Sequence, residues 1–154
     1  MVTLSIAEEL ESNVFTGQLP AEVRRTLADI AEEQTHHEGA TLFREGDAVS
    51  CLSLIISGHV ALDMLVPAQG QQRILTLGPG EILAWSAVLG DGVATATCIA
   101  TENCRLCAWP AEALLKLCDK NHDIGYAVMK ALAQAVSRRL VVTRLQLLDL
   151  YPEH

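Results

Sequence analysis

The stretch Gly78-Pro79-Gly80-Glu81-Ile82-Leu83-Ala84-Trp85-Ser86 decides how this chain is read. Gly-Pro-Gly is a turn signal: glycine takes backbone angles barred to other residues, and proline cannot donate to a strand ladder. The residues that follow, Ile82 to Leu89, lack the strict alternation of a strand and read as a short helix inserted between strands. The surroundings carry no positive charge, since no Lys, Arg or His lies between Arg73 and Arg105.

On both sides of this stretch the pattern is that of short strands. The apolar runs Thr41-Phe43, Cys51-Ile56, Val60-Val66, Arg73-Leu77, Ala94-Ala100 and Arg105-Trp109 are separated by Gly39, Gly46-Asp47, Gly58, Gly70, Gly90 and Gly92. Regular spacing with turn residues between runs predicts a sandwich or barrel over residues 36–109. Before it, residues 1–19 form an N-terminal segment in which 5–12 reads as a short acidic helical turn. Pro20 suits a first helical position, and Val23, Leu27 and Ile30 predict a helix over 20–34. After the barrel, Pro110-Ala111-Glu112 opens a helix to about Cys118, and Asn121 or Asp123 caps another that runs to Leu150. Together these helices span 110–150. The last has an apolar stripe through Ile124, Val128, Ala131, Leu132, Ala135 and Leu145, thickened by Leu140, Val141, Val142, Leu147 and Leu148. That is more apolar face than one small barrel covers, so a homodimer through this helix is expected.

A length of 154 residues predicts a single domain over 1–154, large enough for its own core. The net charge of -8 disfavours nonspecific contact with nucleic acid or with an anionic membrane surface. No basic, apolar leader and no membrane-length apolar run is present, so a cytoplasmic location is expected. The five cysteines then read as reduced thiols. Cys104 and Cys107 form a C-x-x-C, but residues three apart on a strand face opposite sides, which disfavours a shared metal. No nucleophile–base constellation stands out: His36-His37 reads as an exposed pair at a strand start and Asp91-Gly92 as a turn, so no enzyme is expected.

Four local patterns occur in order: Leu42-Phe43-Arg44-Glu45-Gly46-Asp47, Leu54-Ile55-Ile56-Ser57-Gly58-His59-Val60, Gly80-Glu81-Ile82-Leu83-Ala84, and Ala133-Gln134 with Arg138-Arg139-Leu140 and Val142-Thr143. Over residues 20–150 they resemble the cyclic-nucleotide-binding domain superfamily, as in the effector domains of the catabolite activator and FNR-type regulators. The resemblance implies an α+β, mainly β fold: a β-roll (jelly-roll, double-stranded β-helix) flanked by an N-terminal helix and two C-terminal helices, the last a long dimerisation helix. It also implies a ligand cassette over Gly80, Glu81, Ile82, Leu83, Ala84, Trp85 and Ser86, with the Gly-Glu pair serving a ribose. Thr95 is the nearest match to a hydroxyl residue that touches phosphate, and Thr143 matches a dimer-helix residue that contacts the base.

Two departures shape the functional expectation. The family's transcription factors continue into a helix-turn-helix, whereas this sequence stops at His154, so direct DNA binding is not expected. The cassette arginine that pairs with the cyclic phosphate has no counterpart; Val93 or Ala94 takes its place, and Arg73 on a neighbouring strand is the candidate substitute. A buried anion without a cation is costly, so tight binding of cyclic AMP or cyclic GMP is disfavoured. The expectation is a regulatory sensor with no required cofactor. It takes a small, less anionic or more apolar ligand against Ile82, Leu83, Trp85, Val88 and Leu89, and signals through an unidentified protein partner. The alternatives are a ligand-free interaction module, a cyclic-nucleotide receptor with a non-standard clamp, and a haem or redox sensor using His59 and Cys98.

Overall fold

The computed structural model describes residues 5–149; residues 1–4 and 150–154, Leu150 among them, lie outside the described residues. Three short helices come first: α1 (Ile6–Ser12), α2 (Val14–Gly17) and α3 (Ala21–Ile30). Strands β1 (Glu32–His36), β2 (Thr41–Phe43), β3 (Cys51–Ser57), β4 (Val60–Val66), β5 (Gly70–Leu77) and β6 (Ile82–Leu83) follow. The one-turn helix α4 (Ser86–Leu89) precedes β7 (Thr97–Ala100) and β8 (Cys104–Pro110), and the described chain closes with α5 (Ala111–Lys120) and α6 (His122–Asp149). The strands form two antiparallel four-stranded sheets, ordered β1-β8-β3-β6 and β2-β7-β4-β5. This is the β-roll with N-terminal and C-terminal helices expected from the sequence.

Strand β8 shows how alternation divides the molecule. Cys104 and Leu106 face the roll interior with Ile55, Val60, Leu77 and Leu83, whereas Cys107 and Trp109 face the helices with Leu27, Leu114, Val128 and Leu132. The two cysteines of the C-x-x-C therefore belong to two separate cores. The Trp109 indole N–H donates to the Leu27 carbonyl at 2.9 Å, which fastens α3 to the sheet without leaving a buried donor unpaired. Between those positions Arg105 points outward and joins Glu9 of α1 to Glu33 of β1, with Nη1 2.8 Å from Glu9 Oε1 and Nε 3.0 Å from Glu33 Oε1. Those carboxylates hold the Arg105 guanidinium well above its usual pKa, chiefly through the hydrogen bond it donates to Glu9.

Two boundaries differ from the sequence expectation. The helix expected over 20–34 ends at Ile30; Ala31 is extended, and Glu32–His36 pair with Ala108–Cys104 as an edge strand. The roll therefore starts at residue 32, and His36 ends a strand instead of starting one. The segment expected as a helix from Ile82 begins with two strand residues paired to Ser53 and Leu54, and only Ser86–Leu89 is helical.

Gly58 is a position where a side chain has no room. Its φ is +87°, and a Cβ there would lie 2.3 Å from the Asn103 carbonyl oxygen. The close approach lets the β3–β4 turn pack on the residues leading into β8.

Candidate functional site

The outer part of α6 lies over one end of the roll, and two cavities lie beneath it. One, about 310 Å³, is floored by Leu62, Ile74, Ile82 and Trp85 and roofed by Val136, Arg139, Leu140 and Thr143. The other, about 290 Å³, lies between Pro79, Gly80 and Glu81 on the roll side and Arg138, Arg139 and Val142 on the helix. Leu75, Ile82, Ala135 and Arg139 border both. The roof residues 135, 136, 139, 140 and 143 recur at helical spacing, so one face of α6 covers the site. Each volume is near the lower end of what ligand sites offer.

The cassette itself is built by unusual backbone. Gly80 has φ +91°, and Ala84 has φ +59°, a left-handed angle that costs a residue with a side chain. This kink ends β6 and starts α4 with Trp85 as its first cap. The Ser86 carbonyl then accepts from the N–H groups of Gly90 and Gly92 at 3.1 and 3.0 Å and closes the loop.

The structure brings some of the expected site residues together and leaves others aside. Gly80, Glu81, Ile82, Trp85, Thr95 and Thr143 border the cavities. Leu83 is buried on the opposite face of β6, in the roll core, and Ser86 is buried within α4. Ala84 shapes the turn but does not border either cavity. Ala94 is a backbone brace: its N–H donates to the Asp47 carbonyl at 2.8 Å and its carbonyl accepts from Gly46 at 2.9 Å. Val93 forms a bridge with Ala48. Glu81 turns back on its own turn, with Oε2 accepting from the Gly78 N–H at 2.7 Å. The Thr143 hydroxyl donates to the Arg139 carbonyl at 2.8 Å along its own helix.

Arg73, the expected substitute for the missing arginine, borders neither cavity. Its Nε is 3.1 Å from Asp63 Oδ1, an ion pair across β4 and β5. Two cations of α6 reach the site: Arg138 borders one cavity, and Arg139 borders both, its Nη2 donating to the Ile82 carbonyl at 2.7 Å. No ion pair to Arg139 occurs among the described residues. Burial lowers its pKa, and the charge of Glu81 works against that shift. Sequence reasoning placed Arg139 only on the dimer helix. The available signal was its spacing: it lies four residues before Thr143 and so shares its face.

His59 and Cys98, the residues considered for haem, do not border these cavities. His59 is exposed and its Nδ1 pairs with Glu102. Cys98 is sealed in the roll, where burial pushes its thiol up to about 12; burial does the same to Cys107. Thiols held neutral in this way are inert toward oxidants and metals.

A family model described as the cyclic nucleotide-binding domain matches residues 33–121. A cyclic AMP receptor protein of Thermus thermophilus is 31% identical over 137 residues, covering 88% of this chain and 61% of its own length. This chain thus spans about three fifths of that relative. The crystal structure of a cyclic nucleotide-binding domain from Methylobacillus flagellatus superposes with a TM-score of 0.83 at 24% identity, covering 97% of this chain and 84% of the other. The crystal structure of a putative cyclic nucleotide-binding protein from Geobacter metallireducens gives a TM-score of 0.76 at 25% identity, covering 91% of this chain and 99% of the other. The fold is a roll with a cassette beneath a long helix. The chain belongs to the cyclic nucleotide-binding domain family. No helix among the described residues is long and apolar enough to cross a membrane.

Proposed function

We propose that this chain is the sensing unit of a regulator and not an enzyme: a small molecule enters the space beneath α6 and changes how α6 is held. Two copies join through the outer part of that helix, and the output passes to another protein. The observation that carries this reading is the division of the cavity wall. Its floor is cassette and strand, its roof is α6, so a ligand touching both has different contacts whenever the helix moves. The relative from Thermus thermophilus, named as a cyclic AMP receptor, supports a regulatory role.

The ligand favoured by the site is less anionic or more apolar than a cyclic nucleotide. At the expected clamp position stand Val93 and Ala94, and Glu81 is engaged by the Gly78 N–H instead of being open to a ribose. One observation favours a second reading, a cyclic-nucleotide receptor with a non-standard clamp: Arg139 brings a guanidinium to the cavity from the helix side.

A thermal-shift titration with cyclic AMP, cyclic GMP and a metabolite panel tests both readings, because a ligand that binds only the folded state raises Tm. The expected result is little response to either nucleotide and a shift with a more apolar compound. A concentration-dependent shift with cyclic AMP favours the second reading. No response to any compound leaves the ligand-free interaction module.

A further inference from the structure

Arg139 is a half-buried charge with few partners. A guanidinium carries five N–H donors, and its one acceptor among the described residues is the Ile82 carbonyl at 2.7 Å. Removing a cation from water is costly unless an opposite charge or several acceptors replace the water. The other buried or half-buried cations of the chain follow that rule. Arg105 has Glu9 and Glu33, and Arg24 has the Gly17 and Leu19 carbonyls. Arg139 instead stands at the boundary of two cavities, in a protein whose net charge is -8. Its surroundings are apolar on one side, with Leu62, Ile74, Trp85 and Leu140. On the other side Glu81 is near enough to weigh on its charge, but hydrogen-bonds to Gly78 and not to Arg139.

Resting on the sensor reading above, we propose that Arg139 is the anion anchor of the site and that its ligand is a monocarboxylate with an apolar body. The carboxylate takes the place of the Ile82 carbonyl on the guanidinium, where a planar two-oxygen acceptor fits the guanidinium fork. The apolar body lies among Leu62, Ile74, Trp85 and Leu140. A single negative charge matches Arg139, the one cation that borders both cavities among the described residues, and Glu81 opposes a second negative charge. The anchor belongs to α6, so capturing the ligand's charge withdraws Arg139 from the roll and alters the helix directly. A clamp on the cassette would act on the helix only at second hand.

The test uses octanoate and phenylacetate, their neutral amides, and cyclic AMP, each titrated by calorimetry and by NMR of the Trp85 indole. Wild type is compared with Arg139→Gln, which keeps an amide donor for Ile82, and Arg139→Lys, which keeps the charge. The expected result is saturable binding of at least one carboxylate with a Trp85 shift. Binding falls tenfold or more for its amide and for Arg139→Gln, and falls less for Arg139→Lys. Equal binding of acid and amide, or of wild type and Arg139→Gln, overturns the anchor. If cyclic AMP or an amide still perturbs Trp85 in that case, the sensor reading survives. If no probe perturbs Trp85 at millimolar concentration, the anchor is overturned, and the sensor reading then depends on the wider metabolite panel.

Discussion

From Ile124 to Leu132, α6 buries Ile124, Gly125, Val128, Ala131 and Leu132 against α5 and the helical core; from Leu140 to Leu148 the same helix leaves Leu140, Val141, Val142, Leu145, Leu147 and Leu148 between 45% and 67% exposed. Both halves are apolar, and both were drawn into one stripe by helical periodicity. They differ in what lies opposite. The inner half meets α5, where the backbone of Gly125 lies against Cys118, while among the described residues the outer half faces the rim of the roll, Val14 of α2 and the cavities. Periodicity reports which face of a helix is apolar, and says nothing about whether the covering surface belongs to the same chain. Arg139 lies where one regime gives way to the other. A charged, half-buried side chain at that junction is what a helix needs if its attachment is to depend on a ligand.

The sharpest way to break the contrast is inside the inner half. Leu132 is fully buried, and Leu132→Ala removes its side chain from a core with no water to fill the gap. Unfolding in urea should lose about 2–5 kcal/mol. The same substitution at Leu148 should change the stability of the isolated domain by about 0.5 kcal/mol or less. A similar loss at both sites would show that the outer half is packed after all. Gly125→Ala sets propensity against packing. Alanine is the better helix former by about 1 kcal/mol. Its Cβ, however, would lie 2.8 Å from the Cys118 carbonyl oxygen and 3.2 Å from the Cys118 Cβ. Overpacking should win, with a net loss of about 1–2 kcal/mol in the same urea experiment. A gain would mean that α5 and α6 separate freely, which the comparison excludes.

How much of this was legible in the sequence depends on whether a feature is local. Strands β3, β4, β5, β7 and β8 were, because alternation and glycine turns lie within a few residues of each other. Strand β1 was not: Glu32-Glu33-Gln34-Thr35-His36 is polar, lies at a sheet edge, and continues the spacing of the helix before it. Nor was β6, which has only two residues. The cassette was legible as a turn followed by a non-alternating run, and four of its residues, with Thr95 and Thr143 from outside it, border the cavities. Arg139 was not, because it reaches a carbonyl 57 positions earlier in the chain, a contact that exists only once the helix has been laid over the roll. The search for a substitute cation went to Arg73, near in sequence, whose charge is taken by Asp63.

The outer half can be tested by charge. Leu145 is exposed on the described chain, so Leu145→Glu should leave the far-ultraviolet spectrum of the domain intact. If two copies meet along this face, a carboxylate at the seam must be desolvated or pushed out, and the association should weaken by about 1–3 kcal/mol. Light scattering behind a sizing column reads the outcome as a dimer becoming a monomer at micromolar concentration. Unchanged mass for both proteins would place the interface elsewhere and leave the outer half to a different partner.

The smallest effect is expected at Thr143, and it bears most directly on the ligand. The hydroxyl donates to the Arg139 carbonyl within its own helix, an exposed local bond that adds little. Thr143→Val keeps the shape of the side chain and removes the donor. Melting temperature should therefore be unchanged within the equivalent of about 0.5 kcal/mol. If a ligand is held by charge on Arg139 and by apolar contact below, its affinity should also be unchanged, since Thr143 offers it only a methyl group. If instead affinity falls tenfold while stability holds, the hydroxyl leaves Arg139 to bond the ligand. The polar end of the ligand would then extend along the roof of α6, beyond the guanidinium.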